Sequence, residues 1–139
     1  MLLEDDFIVD EKTGHHLYEM ARMNPPEDNL SEGIEIWVFA ESGDIKPPHF
    51  HVCKDKIGDK KGMPVYTIDI EVSIKNIDQL TILRSRTGHS SWDGLRGMHD
   101  AIKKWLDSQA YDADMTNKEA IRQEWNRCNM SNRVKKKEL

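Results

Sequence analysis

The sequence predicts an α+β fold: a three- or four-stranded antiparallel sheet with two C-terminal helices packed on one face. Three observations carry this. Ile34–Ala40 (IEIWVFA), His49–Cys53 and Val65–Val72 are short runs rich in β-branched and aromatic residues. After Leu95 the period changes, with Leu95, Met98, Ile102, Trp105 and Leu106 at helical spacing. The strands come first and the helices follow. That order favours an antiparallel sheet over alternating βαβ units.

Each element has a local reason. Pro47 and Pro48 cannot donate to a ladder and are tolerated where a strand begins, so His49–Cys53 reads as a strand started by the prolines. Glu41–Asp44 reads as a turn, and Lys54–Gly62 (KDKIGDKKG) as a charged, glycine-bounded loop. In Val65–Val72 the alternation puts Val65, Thr67, Asp69 and Glu71 on one side and Tyr66, Ile68, Ile70 and Val72 on the other. Leu80–Leu83 reads as a fourth, shorter strand. A helix over about Trp92–Gln109 takes Ser90 or Ser91 as its cap. A second begins at the capping box Thr116-Asn117-Lys118-Glu119 and buries Ala120, Ile121, Trp125 and Cys128. Phe50, Val52, Ile68, Ile70, Trp105 and Trp125 are the expected core.

At 139 residues, with 37% hydrophobic and 32% charged residues and a mean hydropathy of −0.73, the chain suits one polar domain with its own core. Residues 1–33 form an acidic N-terminal extension, 34–130 a single α+β domain and 131–139 a basic tail (RVKKKEL) expected to fray. Within the extension a short helix is expected at His16–Met23, ending before Asn24-Pro25-Pro26. Phe7, Ile8, Leu17 and Met20 are its apolar anchors.

The net charge of −5 conceals an asymmetry. Residues 1–45 hold twelve Asp or Glu against two Lys or Arg, and the remainder holds eighteen Lys or Arg against thirteen acids. Such a split fits an acidic segment over a basic face, or a basic face that meets nucleic acid. No run approaches the roughly 20 apolar residues of a membrane span. The opening MLLEDDF is acidic where a secretory signal is basic, and Cys53 and Cys128 lack paired spacing. These features predict a cytoplasmic protein with free thiols and no membrane contact.

The stretch Lys46–Cys53 (KPPHFHVC) is the chemically unusual one. Residues two apart in a strand share a face at about 6.6–6.8 Å. His49 and His51 therefore point together, away from Phe50 and Val52 and into solvent or a cleft. Two imidazoles at this spacing can share a divalent ion, the one cofactor the sequence suggests. Cys53 is on the same face but too far along the strand to join both histidines. The third ligand, or a general base, is better sought in Asp69 or Glu71 on a neighbouring strand, with His89 and His99 as further candidates. The bland alternative is that both histidines simply hydrogen-bond across the sheet. Ser90 and Ser91 beside His89 look like a cap rather than a nucleophile. Arg84, Arg86, Arg96, Lys103 and Lys104 form a possible basic patch without an RNA-binding or zinc-finger pattern.

A strand of the IEIWVFA kind, then PPHFHV, then YTIDI, then AIKKWLDSQ and NKEAIRQEW resembles a family of short bacterial and phage-borne domains of unknown function recognisable by a PPHFH motif. The likeness covers about Ile34–Arg127, and its specific part is Pro47–Val52. Members are often encoded beside a small partner protein, in pairs that look like toxin–antitoxin modules. The resemblance implies a small intracellular protein with a small protein partner, carried on a mobile element. The chain departs from the short form in its acidic N-terminal segment, its long charged loop and its basic tail.

Taken together, these features predict a binding or regulatory module of toxin–antitoxin type with a functional surface around His49 and His51. One alternative is a hydrolase or nuclease using His49 and His51 with Asp69 and Glu71 as metal ligands or general base. Another is a nucleic-acid-binding protein using the basic C-terminal two-thirds.

Overall fold

The computed structural model describes residues 5–9, 16–25, 30, 33–39, 47–111, 113–129 and 134, and for 5–9 and 16–20 only the backbone path. The fold is α+β. Among the described residues six antiparallel strands lie in chain order: β1 (Asp5–Val9), β2 (His16–Arg22), β3 (Ile34–Phe39), β4 (His49–Lys60), β5 (Met63–Ser73) and β6 (Ile82–Ser85). Two helices follow, α1 (Arg96–Leu106) and α2 (Asn117–Cys128). The sheet is thus wider than the three or four strands expected, because residues of the N-terminal extension add to it. No helix among the described residues is long and apolar enough to cross a membrane.

The helix expected at His16–Met23 is instead strand β2. It pairs with β3 through Met20↔Phe39, Ala21↔Val38 and Arg22↔Trp37. A helix this short is marginal in water, whereas β3 offers it an edge of unpaired backbone groups. Asn24 fixes the departure from that edge. Its side-chain amide donates to the Ile34 carbonyl at 2.8 Å and its oxygen accepts from the Ile36 amide at 2.7 Å. Asn24 is buried, so Asn24→Ala strands two backbone groups away from water. The expected cost is about 2–4 kcal/mol of unfolding free energy, read from the urea midpoint. A loss near zero would mean that Asn24 does not anchor this edge.

The charged segment Lys54–Gly62 is not a loop. β4 and β5 run on past their neighbours as a two-stranded ribbon, closed by a two-residue turn at Lys61 (φ 53°) and Gly62 (φ 81°). Positive φ at both central residues marks the hairpin turn whose twist matches the strands. Glycine accommodates this readily. The turn expected at Glu41–Asp44 lies outside the described residues.

Phe50, Val52, Ile70 and Val72 of the central strands meet Met98, Ile102, Trp105 and Leu106 of α1 and Ile121 and Trp125 of α2 in one core. Each such side chain removed from water contributes roughly 1.5–3 kcal/mol before entropy is counted. Ile68 is only half-buried at its edge. Leu80 is buried but sits in a left-handed conformation (φ 49°) after a short 3-10 turn, so the last strand begins at Ile82 rather than Leu80.

The helix ends differ in part from expectation. α1 starts at Arg96 with Leu95 as its N-cap, and no side chain caps it. Ser90 and Ser91 are too early, since Gly94 (φ 78°) turns the chain before the helix begins. Thr116 does cap α2, accepting from the Glu119 amide at 3.3 Å. Glu119 also pairs with Arg122. Of the tail, Val134 is described, and it is not frayed. It is buried in the core, exchanging backbone hydrogen bonds with the Asn126 side chain. The other tail residues lie outside the described set.

Candidate metal centre

The second face of the sheet is also buried, and much of it is polar. Strand pairing builds it in rows. Trp37 of β3 lies beside His51 of β4, His51 beside Glu71 of β5, and Glu71 beside Arg84 of β6. The next row sets Glu35 beside Cys53 and Cys53 beside Asp69. Trp37, Phe39, Cys53 and Tyr66 form an apolar cluster around this layer. Tyr66 thus departs from the alternation expected along β5, where the ladder is disturbed near Asp55 (φ 58°) and shifts between Lys56 and Gly58. Its hydroxyl donates to Glu35 at 2.9 Å, and the Trp37 indole donates to the same oxygen at 3.0 Å. Burial and the neighbouring Glu35 carboxylate keep that phenol protonated, far above its ordinary range.

His49 and His51 are 1% and 0% exposed, and Glu71 is 3% exposed. This corrects the expectation that the histidines face solvent or an open cleft. They do turn away from the core face that Phe50 and Val52 occupy, but their own side is covered. The His51 ring lies 4.3 Å from that of Phe39 and 5.2 Å from that of His49, and the His49 ring lies 5.3 Å from Trp125.

Each imidazole is oriented through Nδ1. His49 Nδ1 is 2.9 Å from the Pro47 carbonyl, which can only accept, so Nδ1 carries the proton. His51 Nδ1 is 3.0 Å from Asp69 Oδ1. Burial would raise the Asp69 carboxyl. The hydrogen bond from His51 and the Arg86 charge oppose this, and Asp69 is held below the usual carboxylate range, as an acceptor. In each ring Nε2 is turned away from this orienting partner. His51 Nε2 is buried, with no hydrogen-bond partner among the described residues. His49 Nε2 faces Glu71 Oε1 at 3.4 Å. The other Glu71 oxygen accepts from Arg84 Nε at 2.7 Å.

One donor atom from each of His49, His51 and Glu71 thus falls within 4.8 Å of the others. Two ligands at about 2.1 Å from a tetrahedral zinc ion are about 3.4 Å apart, which matches the His49–Glu71 separation. Buried polar atoms normally find a partner, and a cation bound among these three would supply one to His51 Nε2. Asp69 and the Pro47 carbonyl act one step back. They fix tautomer and ring orientation, as carboxylates and carbonyls do behind metal-bound histidines.

Of the residues singled out in the sequence, the structure brings His49, His51 and Glu71 together and sets Asp69 behind them. Cys53 stays outside. Burial first, then the Asp69 and Glu35 charges, push its thiol well above the ordinary value, so it is a poor thiolate donor. His89 is held by Thr87 at 2.8 Å, and His99 pairs with Asp100 at 3.0 Å and edges Trp92. Neither joins the cluster. The role of Arg84 on Glu71 was not anticipated. Its signal is positional, a cation on the strand directly beside the carboxylate.

No protein-family model, no curated protein and no solved structure matches this chain.

Proposed function

We propose that the protein is a metal-dependent hydrolase whose centre is His49, His51 and Glu71. The observation that carries this is the convergence of one ring nitrogen from each histidine and one carboxylate oxygen, with His51 Nε2 buried and without a hydrogen-bond partner among the described residues. Two histidines and one carboxylate form a ligand set typical of catalytic zinc, which leaves a position for water, whereas structural zinc is closed by four protein ligands. A bound divalent ion would supply Lewis acidity and lower the pKa of its water to about 7. The protein's own contribution is to hold both tautomers through Asp69 and Pro47, and to exclude bulk water with Phe39 and Trp125. Arg84 secures the far oxygen of Glu71, leaving the near one directed at the histidines.

A partner-binding module of toxin–antitoxin type is supported by the resemblance at Pro47–Val52 alone. Among the described residues His49 and His51 are covered rather than presented to a partner.

The test is to strip the protein with chelator and titrate it with Zn2+, Mn2+ and Fe2+. Turnover is then followed on chromogenic carboxylic, phosphomonoester and phosphodiester substrates. The expected result is one ion per chain, turnover that returns with metal, and loss of both in the H49A/H51A variant. Glu71→Gln, which keeps the shape but weakens the donor, is expected to reduce metal affinity by roughly tenfold or more. A chain that takes up no metal, or a loaded chain inert on all three ester classes, would refute the proposal.

A further inference from the structure

Arg84 belongs to two places at once. Its Nε holds Glu71, yet its side chain is 54% exposed. There it lines a shallow recess of about 260 Å3 along β6, together with Ser85, Gly88, His89 and Ser90. Among the described residues none that lines it is acidic. Gly88, with φ +83° and nothing near the place of a Cβ, leaves the recess open. The Thr87 hydroxyl holds His89 by Nδ1, so Nε2 is the ring atom left to meet a ligand. Ser90 adds a hydroxyl. A guanidinium held through Nε by Glu71, an imidazole and a hydroxyl together offer the donors of a phosphate site.

We infer that this recess binds the phosphate group of the substrate, so that the ester hydrolysed is a phosphate ester. The inference rests on the hydrolase reading and deepens it. Arg84 is the physical link, because the residue that would hold the phosphate also holds a ligand of the centre. A cation among His49, His51 and Glu71 would offset the Glu71 charge that now faces Arg84, and so strengthen the field that Arg84 presents to an anion. Metal and phosphate should therefore bind with positive coupling, each raising the affinity for the other by the same factor.

The experiment measures binding of inorganic phosphate, acetate, a nucleoside 5′-monophosphate and a short single-stranded oligonucleotide. It uses the full chain, metal-free and zinc-loaded, by amide chemical shifts and calorimetry. The expected result is saturable phosphate binding to the metal-free protein, with shifts at residues 84–90, and tighter binding after metal loading. Acetate should bind at least about tenfold more weakly, since it lacks the third oxygen and second charge. Arg84→Lys should weaken phosphate binding about tenfold, and His89→Ala, which leaves Glu71 its partner, by roughly threefold to tenfold. A mononucleotide that binds as phosphate does identifies a small phosphoester. A tighter oligonucleotide with steep salt dependence identifies nucleic acid. Either supports the inference. Absence of saturable phosphate binding in both forms, or binding unchanged in both variants, overturns it. If phosphate binds as described and no metal does, the hydrolase reading falls and the anion site remains. If metal binds and phosphate does not, the reverse holds.

Discussion

Replacing Trp125 by alanine is expected to destabilise the protein by about 3–5 kcal/mol. Trp125 is 1% exposed and sits where α2 meets the sheet. Truncation removes a large apolar group and leaves a cavity that neighbours on both a helix and a sheet cannot easily close. Domains are stable by only about 5–15 kcal/mol, so a third or more of the total is at stake. The loss should appear as a lower urea midpoint with little change in slope. The Trp125 ring also lies against His49, so the variant that still folds should bind metal more weakly than the parent. Trp125→Phe, which keeps an aromatic wall, should recover most of both properties. Stability reduced by under about 1 kcal/mol in Trp125→Ala would show that the junction of α2 with the sheet is not a main support of the fold.

The second large effect is a metal-linked rise in thermal stability. An ion that binds the folded chain alone stabilises it by about 2.7 kcal/mol at one hundred times its dissociation constant. For a chain of this size that is roughly 8 °C in Tm. Zinc should therefore raise the midpoint in a concentration-dependent way, and chelator should reverse it. Asp69→Asn is the informative companion. It keeps a side-chain oxygen near His51 but removes the charge that fixes the tautomer, so the rise should shrink while one ion is still bound at high concentration. His51→Ala should abolish it. An equal rise in H49A/H51A would place the ion elsewhere and sink the assignment.

The sequence showed the ingredients of this centre more clearly than their arrangement. Alternation in Val65–Val72 placed Asp69 and Glu71 on one side, and the spacing of His49 and His51 placed them together. What local pattern could not show was register. From the turn at Lys61–Gly62 the ladder begins as Lys60↔Met63, Asp59↔Pro64 and Gly58↔Val65. Continued without a break it would set His51 opposite Val72, and a one-residue slip turns every side chain to the other face. The ladder instead skips Ile57, pairing Lys56 with Tyr66, and this bulge sets His51 opposite Glu71. Ile57 is 65% exposed, an apolar residue with no packing reason for its place. Read as part of a charged loop, Lys54–Gly62 hid both the hairpin and the bulge.

The covering of the second face was not legible either. Nothing in KPPHFHVC distinguishes histidines that face solvent from histidines enclosed by Phe39 and Trp125, which lie ten residues before and about seventy after. The N-terminal strands were missed because Leu17, Met20 and Ala21 fit a helical stripe as well as a strand. Only the open edge of β3 decides between them.

The three donors and Asp69 belong to one hairpin, β4–β5, with Pro47 just before it, while Arg84, which holds Glu71, comes from β6. Closing a loop of this length costs little more entropy than closing one half as long. The coordinating unit is thus nearly self-contained along the chain, while the walls that keep it dry come from β3 and α2. Mutations in the remote walls would adjust the site without replacing a donor, and exchange of the hairpin as one segment would carry the three donors and Asp69, though not Arg84, into another sheet.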